Sequence, residues 1–183
     1  MRQIEGFDLI TEAGELKQLP AGAYVCKIIE VIDNADKEYL DVYFDIVEGE
    51  FKNYFTTLFN STGKNYGRIA RSYKTNALPF FKAFITAVEK SNPGYKWDWN
   101  EKSLNNKLCA VSFRDEEFES DGTIKVRAKP EEIRSVQALR EGKIEIKPVR
   151  KLEKMLTIEE IMAQNKSSQV SAPTEIDDTD LPF

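Results

Sequence analysis

The sequence of 183 residues contains no histidine, and this absence excludes several kinds of active site. Histidine is the commonest general base and the commonest ligand of transition metals in proteins. Without it, neither a Ser-His-Asp triad nor a Cys-His pair can form. The two cysteines, Cys26 and Cys109, are too few for a tetrahedral structural zinc site. Carboxylate-based magnesium chemistry remains open, since it needs neither residue type.

Long apolar runs and a targeting signal are also lacking. The apolar stretch Val25–Ile32 is interrupted by Lys27 and Glu30, and it is far shorter than the ~20 residues that a transmembrane helix needs. The first residues show no basic segment followed by an apolar one, as a secretory signal peptide has. Each cysteine lies inside an apolar, strand-like run, which favours two reduced core thiols. These features predict a cytoplasmic protein with no membrane partner.

Cations outnumber acids in the middle of the chain, and acids outnumber cations on either side. Residues 1–51 hold 4 Lys or Arg and 12 Asp or Glu, a net charge of −8. Residues 52–154 hold 21 and 13, a net charge of +8, and residues 155–183 hold 1 and 6, a net charge of −5. A basic middle segment followed by an acidic one is typical of a protein that binds a polyanion and carries an acidic tail.

Hydrophobic periodicity predicts five strands and one helix. The strongest signal is Tyr39–Val47, in which apolar and polar residues alternate. Residues 60–75 are predicted to be irregular, and residues 115–122 to be a polar hairpin connection. The predicted elements are, in order, strands at Ala23–Asp33, Tyr39–Val47 and Phe51–Phe59, an amphipathic helix at Leu78–Lys90, and strands at Lys107–Arg114 and Thr123–Ala128.

This order of elements, three strands, a helix and two strands, predicts a β-rich fold. It is the order of the oligonucleotide-binding (OB) fold, a partly open five-stranded barrel with its helix between the third and fourth strands. We therefore predict an OB-fold-like nucleic-acid-binding domain over residues 19–154, after an N-terminal extension at residues 1–18. Residues 155–183 are predicted to be a flexible acidic tail, because their composition offers little apolar surface to bury.

The segment Lys52–Lys74 contains five cations interleaved with five aromatic residues and has no acid. Cations at such spacing can follow a phosphate backbone, and aromatic rings stack on exposed bases at about 1–3 kcal/mol per base. Some of these rings, such as Phe55 and Phe59, also fit a hydrophobic core. The residues predicted to bind single-stranded DNA are Lys52, Tyr54, Lys64, Tyr66, Arg68, Arg71, Tyr73 and Lys74.

Two tryptophans follow the predicted helix, and the sequence leaves two roles open for them. Trp97 and Trp99 lie two positions apart, so they point to the same side of an extended segment. They can stack on bases, or they can close one end of the barrel.

The last seven residues of the sequence combine acids with an apolar end. An apolar anchor beside a free carboxylate suits a partner with a hydrophobic pocket ringed by basic residues. The segment resembles the C-terminal peptide of bacterial single-stranded DNA-binding proteins, which ends in acids followed by Ile/Leu-Pro-Phe; Thr179 departs from that pattern by interrupting the acids. The resemblance implies that replication, repair and recombination proteins bind Asp177, Asp178, Asp180, Leu181, Pro182 and Phe183.

The preceding part of the chain, over roughly residues 19–152, resembles a group of proteins from phages and integrative elements of Gram-positive bacteria. The resemblance implies a role in replication or recombination of a mobile element inside a bacterial host cell. The stretches that carry it are Leu19–Val25, Glu48–Asn53, Leu78–Ile85 and Asn92–Trp97.

Our leading hypothesis is a non-enzymatic protein that binds single-stranded DNA without sequence preference, uses no cofactor and recruits enzymes through its tail. One alternative is a protein adaptor that does not bind DNA. Another is a metal-dependent nuclease, although its carboxylates are typical of a solvated turn. The sequence leaves self-association open. The carboxylates of the nuclease alternative are Asp115, Glu116, Glu117 and Glu119.

Overall fold

The computed structural model describes residues 17–152, and these form five β-strands and three α-helices. Almost all of them belong to the first of the two units into which the chain divides, Met1–Lys151. No helix in this described range is long and apolar enough to cross a membrane. The elements are β1 (Gly22–Asn34), β2 (Tyr39–Ile46), α1 (Tyr54–Thr62), β3 (Arg68–Ser72), α2 (Leu78–Ser91), β4 (Leu108–Ser120), β5 (Thr123–Arg134) and α3 (Val136–Arg140).

The five strands form one antiparallel sheet in the order β3-β2-β1-β4-β5. The sheet is open, because no ladder joins its edges β3 and β5 in the described residues. The two edges approach each other at Arg71 of β3, whose Nη2 donates to the backbone oxygen of Glu131 on β5 at 3.2 Å. The predicted β-rich, five-stranded architecture is confirmed, and the barrel is not closed.

One face of the sheet is buried and forms the core. The predicted apolar side of β2 is confirmed, since Leu40, Val42, Phe44 and Ile46 are at most 4% exposed, although Asp41 and Asp45 are buried as well. Helix α2 packs against β3, β4 and β5, so it covers the side where the two edges approach. Of the predicted amphipathic stripe, Phe81, Phe84, Ile85 and Val88 are buried, whereas Leu78 in the first turn is 47% exposed. The largest fully buried side chains of this core are Phe84, Phe113, Ile28, Ile46 and Leu104.

The opposite, outer face of the sheet is covered over β1 and β4. Val25 and Ala110 alternate with core residues and are nevertheless 6% and 0% exposed. Helix α3 contacts both strands, which accounts for this burial. Over β2 and β3, by contrast, Tyr39, Tyr43, Arg68 and Ala70 are exposed or half-buried, whereas the acids Asp41 and Asp45 of β2 are buried. This open part of the outer face is where a ligand has access.

The hairpin formed by β4 and β5 is longer than predicted. Residues 115–120, predicted to belong to the connection, continue β4, and β5 extends to Arg134. The turn itself is only Asp121-Gly122, with φ of 54° and 70°. Two positive φ values are what a two-residue hairpin turn requires, and glycine accepts one without steric cost. The predicted turn is confirmed, and the predicted polar connection around it is strand.

The predicted strand at Phe51–Phe59 is wrong, because this segment forms helix α1. The buried carboxylate of Asp45, on β2, accepts hydrogen bonds from the backbone N–H groups of Phe55 and Thr56, both at 3.0 Å. These are N-terminal donors that the helix itself leaves without partners. Asp45 therefore caps a helix that begins nine residues later in the chain. This cap stabilises the helix over the predicted strand.

The third strand lies instead within residues 60–75, which were predicted to be irregular. It is β3, a strand of five residues that pairs with β2. Ile69 is its one fully buried side chain, so its sequence shows little periodicity. The number of strands is as predicted, but the order along the chain is β1-β2-α1-β3-α2-β4-β5. The predicted N-terminal extension, except Lys17 and Gln18, and the predicted acidic tail lie outside the described residues.

Candidate nucleic-acid interface

The open part of the outer face carries aromatic and basic side chains on two adjacent strands. Tyr39, Asp41 and Tyr43 alternate along β2 with the core positions. Tyr43 lies opposite Arg68 of β3 in the strand ladder. Both tyrosines are half-buried and Arg68 is exposed. We call Tyr39, Asp41, Tyr43 and Arg68 the tyrosine–arginine face.

Arg68 is held in place by Asp41. Its Nε and Nη2 contact Asp41 Oδ1 at 2.8 Å and 2.5 Å, and Asn34 Nδ2 donates to the other carboxylate oxygen at 3.2 Å. The hydrogen bond to Asp41, more than the nearby tyrosines, raises the pKa of Arg68 above its ordinary value. These contacts use two of the five N–H donors of a guanidinium. An oriented cation with free donors suits a phosphate oxygen.

Six of the eight residues predicted to bind DNA lie along β3 and its two flanking loops, and four of these six are exposed. Lys64 and Tyr66 are exposed in the loop that leads into β3, and Tyr66 is 43% exposed. Arg68 begins the strand, and Lys74 is exposed two residues after its end. The structure therefore places these four residues along the edge strand that pairs with β2.

Lys52 and Tyr54 lie apart from that group, before and at the first residue of α1. A nine-residue helix separates them from Lys64, a distance of ~13 Å along the helix axis. The Tyr54 ring packs against Phe51 and Phe55, with centroids 5.9 Å and 5.2 Å apart. Its hydroxyl accepts a hydrogen bond from a backbone N–H. Tyr54 therefore packs at the edge of the core. Its contact with DNA stays a prediction.

Arg71 and Tyr73 make contacts that support the fold. Arg71 lies opposite Leu40 in the ladder, on the core side of the sheet, and burial lowers the pKa of its guanidinium to about 10. Tyr73 packs on Phe81, with centroids 5.9 Å apart, and its hydroxyl donates to Asp33 at 2.8 Å. That hydrogen bond raises the pKa of Tyr73 to about 12.

We expect Arg71→Met to lower stability more than DNA affinity. The substitution keeps much of the side-chain length but removes the hydrogen bond to the Glu131 carbonyl, and a half-buried acceptor left unpaired costs about 1–3 kcal/mol. Urea unfolding measures the stability and fluorescence anisotropy the affinity. Lys64→Met is the matched control, with the opposite expected pattern, because Lys64 is exposed in the loop before β3. A stable Arg71→Met protein with weakened DNA binding would instead make Arg71 a phosphate contact.

Tyr39 and Tyr43 were not among the residues predicted to bind DNA. The prediction took its candidates from Lys52–Lys74, where cations are dense and acids absent. The alternation of β2 already placed Tyr43 on the polar side of the strand. A search for aromatic residues on solvent-facing strand positions would have found both tyrosines.

The four carboxylates of the nuclease alternative are divided between the two faces of β4. Glu116 contacts Lys129 at 3.0 Å and Arg127 at 3.4 Å. Burial raises the pKa of Glu116, but these two cations outweigh burial, so its pKa lies below the ordinary value. Asp115 and Glu117 alternate with it along the strand. Within residues 17–152, no three Asp, Glu or Cys side chains form a group able to hold a metal ion.

In comparisons with known proteins, no family model and no curated protein matches this chain. The tail residues predicted to bind partner proteins lie outside the described residues, so their role stays a prediction. They are Asp177, Asp178, Asp180, Leu181, Pro182 and Phe183.

Proposed function

We propose that this protein binds single-stranded DNA, without sequence preference, through the tyrosine–arginine face. The observation that carries the proposal is an exposed, oriented arginine opposite a tyrosine on adjacent strands, Arg68 opposite Tyr43. Lys64, Tyr66 and Lys74 flank the same edge strand and add two further cations and a ring. Such a surface tracks phosphates with its cations and stacks bases on its rings, and stacking accepts every base.

The strand order supports the further proposal that the domain is an OB fold. In that fold, the face of strands 2 and 3 of a partly open barrel binds oligonucleotides. The order β3-β2-β1-β4-β5, with α2 between β3 and β4, agrees with such a barrel left open between its third and fifth strands. The tyrosine–arginine face lies on the corresponding pair of strands.

Rings that stack on bases favour a single strand over a duplex, because a duplex keeps its bases stacked inside. In this proposal the protein is not an enzyme and needs no cofactor. It coats DNA during replication or recombination of a phage or mobile element in a bacterial cytoplasm. The tail from Asp177 to Phe183 would recruit partner enzymes, as its resemblance implies.

Fluorescence anisotropy of labelled oligo(dT), measured at several salt concentrations, tests the proposal. We expect tight binding that weakens with salt, because each neutralised phosphate of a single strand contributes about −0.7 to the slope of log K against log salt. Three cations, Lys64, Arg68 and Lys74, give an expected slope of about −2. Unlabelled duplex of equal length should compete poorly. Absence of binding at low salt would contradict the proposal and favour the adaptor alternative.

A further inference from the structure

An apolar groove of about 630 Å³ lies between the end of the sheet, helix α2 and the segment that follows the helix. Leu40 and Tyr73 line it from the sheet side, and Phe81 and Ile85 line it from α2. The indoles of Trp97 and Trp99 complete the lining, with ring centroids 6.3 Å apart and planes at 55°. Four flat aromatic side chains therefore line one concave surface that no described residue fills.

The turn around Trp99 holds this indole in the solvent. Trp99 is 84% exposed, and its φ of 63° lies in the left-handed region, which is unfavourable for a bulky residue. Asp98 stabilises the turn, since its carboxylate accepts hydrogen bonds from Ser103 Oγ at 2.7 Å and from Asn100 N at 3.2 Å. An exposed ring contributes little to the core. Backbone strain that a local network maintains is typical of ligand-binding positions.

The groove adjoins β3, the edge strand of the proposed DNA-binding surface, and it lies on the core side of the sheet, because Leu40, Phe81 and Ile85 line it. Tyr73 lines the groove and directly follows β3, the strand that carries Arg68. Lys74 is exposed at the next position. Because β3 is an edge strand, a DNA strand bound along it can pass around this edge and reach the groove at the end of β3. The hydrogen bond that the Tyr73 hydroxyl donates to Asp33 orients this hydroxyl where β3 ends.

We propose that the groove accepts one unstacked nucleobase of the bound single strand, with Trp99 as its stacking platform. This inference rests on the proposed function. Indole rings offer a large flat surface for base stacking. The charges of the lining fit a base better than a backbone: Lys82 suits one flanking phosphate, while Asp33 and Glu101 repel a continuous run of phosphates. Carboxylate oxygens also accept hydrogen bonds from the N–H groups of base edges.

Tryptophan fluorescence reports on this groove alone, because Trp97 and Trp99 are the two tryptophans of the whole chain. We would titrate the full-length protein with oligo(dT) and, in parallel, with an abasic oligonucleotide of equal length. Anisotropy of the same labelled strands measures total binding. We expect oligo(dT) to quench the emission and the abasic strand to leave it nearly unchanged. Trp99→Ala should weaken oligo(dT) binding about tenfold, as expected for one lost base stack.

Phe80→Ala is the matched control. Phe80 is 74% exposed on α2 but is not part of the groove lining, so its loss should leave the affinity unchanged. If oligo(dT) binds by anisotropy while the tryptophan emission stays unchanged, and Trp99→Ala binds as tightly as the wild type, the inference is overturned. The proposed function would still stand. Tryptophan emission that changes with protein concentration in the absence of DNA would also overturn the inference. It would indicate that a second copy of the protein occupies the groove. Failure of every strand to bind would refute the proposed function itself.

Discussion

Alanine at both Tyr39 and Tyr43 is expected to weaken oligo(dT) binding about 100-fold, because stacking of one base contributes about 1–3 kcal/mol and two rings are removed. Both side chains lie on the outer side of β2, away from the core. We therefore expect the variant to remain folded. Anisotropy gives the affinity, and circular dichroism gives the fold.

Two controls separate stacking from other effects. Phenylalanine at both positions keeps the rings and removes only the hydroxyls, so it should keep most of the affinity. Phe59→Ala removes a ring that is 48% exposed on α1, outside the tyrosine–arginine face, and should change little. A double-alanine variant that binds like the wild type would show that the strand lies elsewhere.

The salt dependence distinguishes the rings from the cations. Loss of Tyr39 and Tyr43 should weaken binding equally at all salt concentrations, since no phosphate contact is removed. Alanine at Lys64 and Arg68 should instead reduce the slope of log K against log salt by about 1.4, that is, about 0.7 for each lost phosphate contact. An unchanged slope in the Lys64 and Arg68 variant would assign the phosphate contacts to other cations.

Gly67→Ala is expected to destabilise the domain by about 3 kcal/mol or more, at the upper end of what overpacking a core costs. A Cβ at Gly67 would lie 2.8 Å from Phe55 Cγ and closer still to the backbone oxygen of Phe44. Gly67 O also accepts the backbone N–H of Phe44 at 2.9 Å, so the glycine cannot simply move away. Since β3 begins at the next residue, the substitution would displace Arg68 as well.

Urea unfolding measures the stability of Gly67→Ala, and Gly63→Asn is its control. Gly63 has a positive φ of 68° but no atom within 4 Å of an added Cβ. Asparagine tolerates the left-handed region better than most residues, so we expect a small effect there. This pair separates a steric clash from a loss of backbone freedom. If Gly67→Ala unfolds at the same urea concentration as the wild type, this would contradict the close approach of the Gly67 loop to Phe55.

The sequence predicts much of the sheet because several of its signals are local. Alternation along Tyr39–Val47 indicates which side of β2 is buried, since successive side chains of a strand point to opposite faces. Asp121-Gly122 marks a hairpin turn because both positions need positive φ. The spacing of apolar residues also identifies α2, and Pro93-Gly94 marks where this helix has ended.

Helix α1 and strand β3 were not predictable in this way, because distant residues stabilise them. Aromatic and threonine content favours a strand at Phe51–Phe59, whereas the spacing of Phe51, Phe55 and Leu58 fits a helix. Asp45, which belongs to another element, caps the helix. Strand β3 is short, and its pairing with β2 defines it.

The sequence predicts only part of the candidate site, because β3 itself depends on distant residues. A local excess of cations without acids identifies the region around β3. It does not separate Arg68 from Arg71, which lie three residues apart and therefore point to opposite faces of a strand. That difference emerges only once β3 is known. The exposure of Trp99 likewise depends on a turn held by Asp98 and Ser103.

Two-dimensional amide NMR of the full-length protein, recorded during titration with oligo(dT), tests the central claim most directly. The account predicts the largest chemical-shift changes at residues 39–43 and 64–74. Little change is expected at α3, which covers the outer face over β1 and β4. Changes confined to α3 and residues 143–150, with β2 and β3 unaffected, would contradict the claim that the tyrosine–arginine face binds the strand.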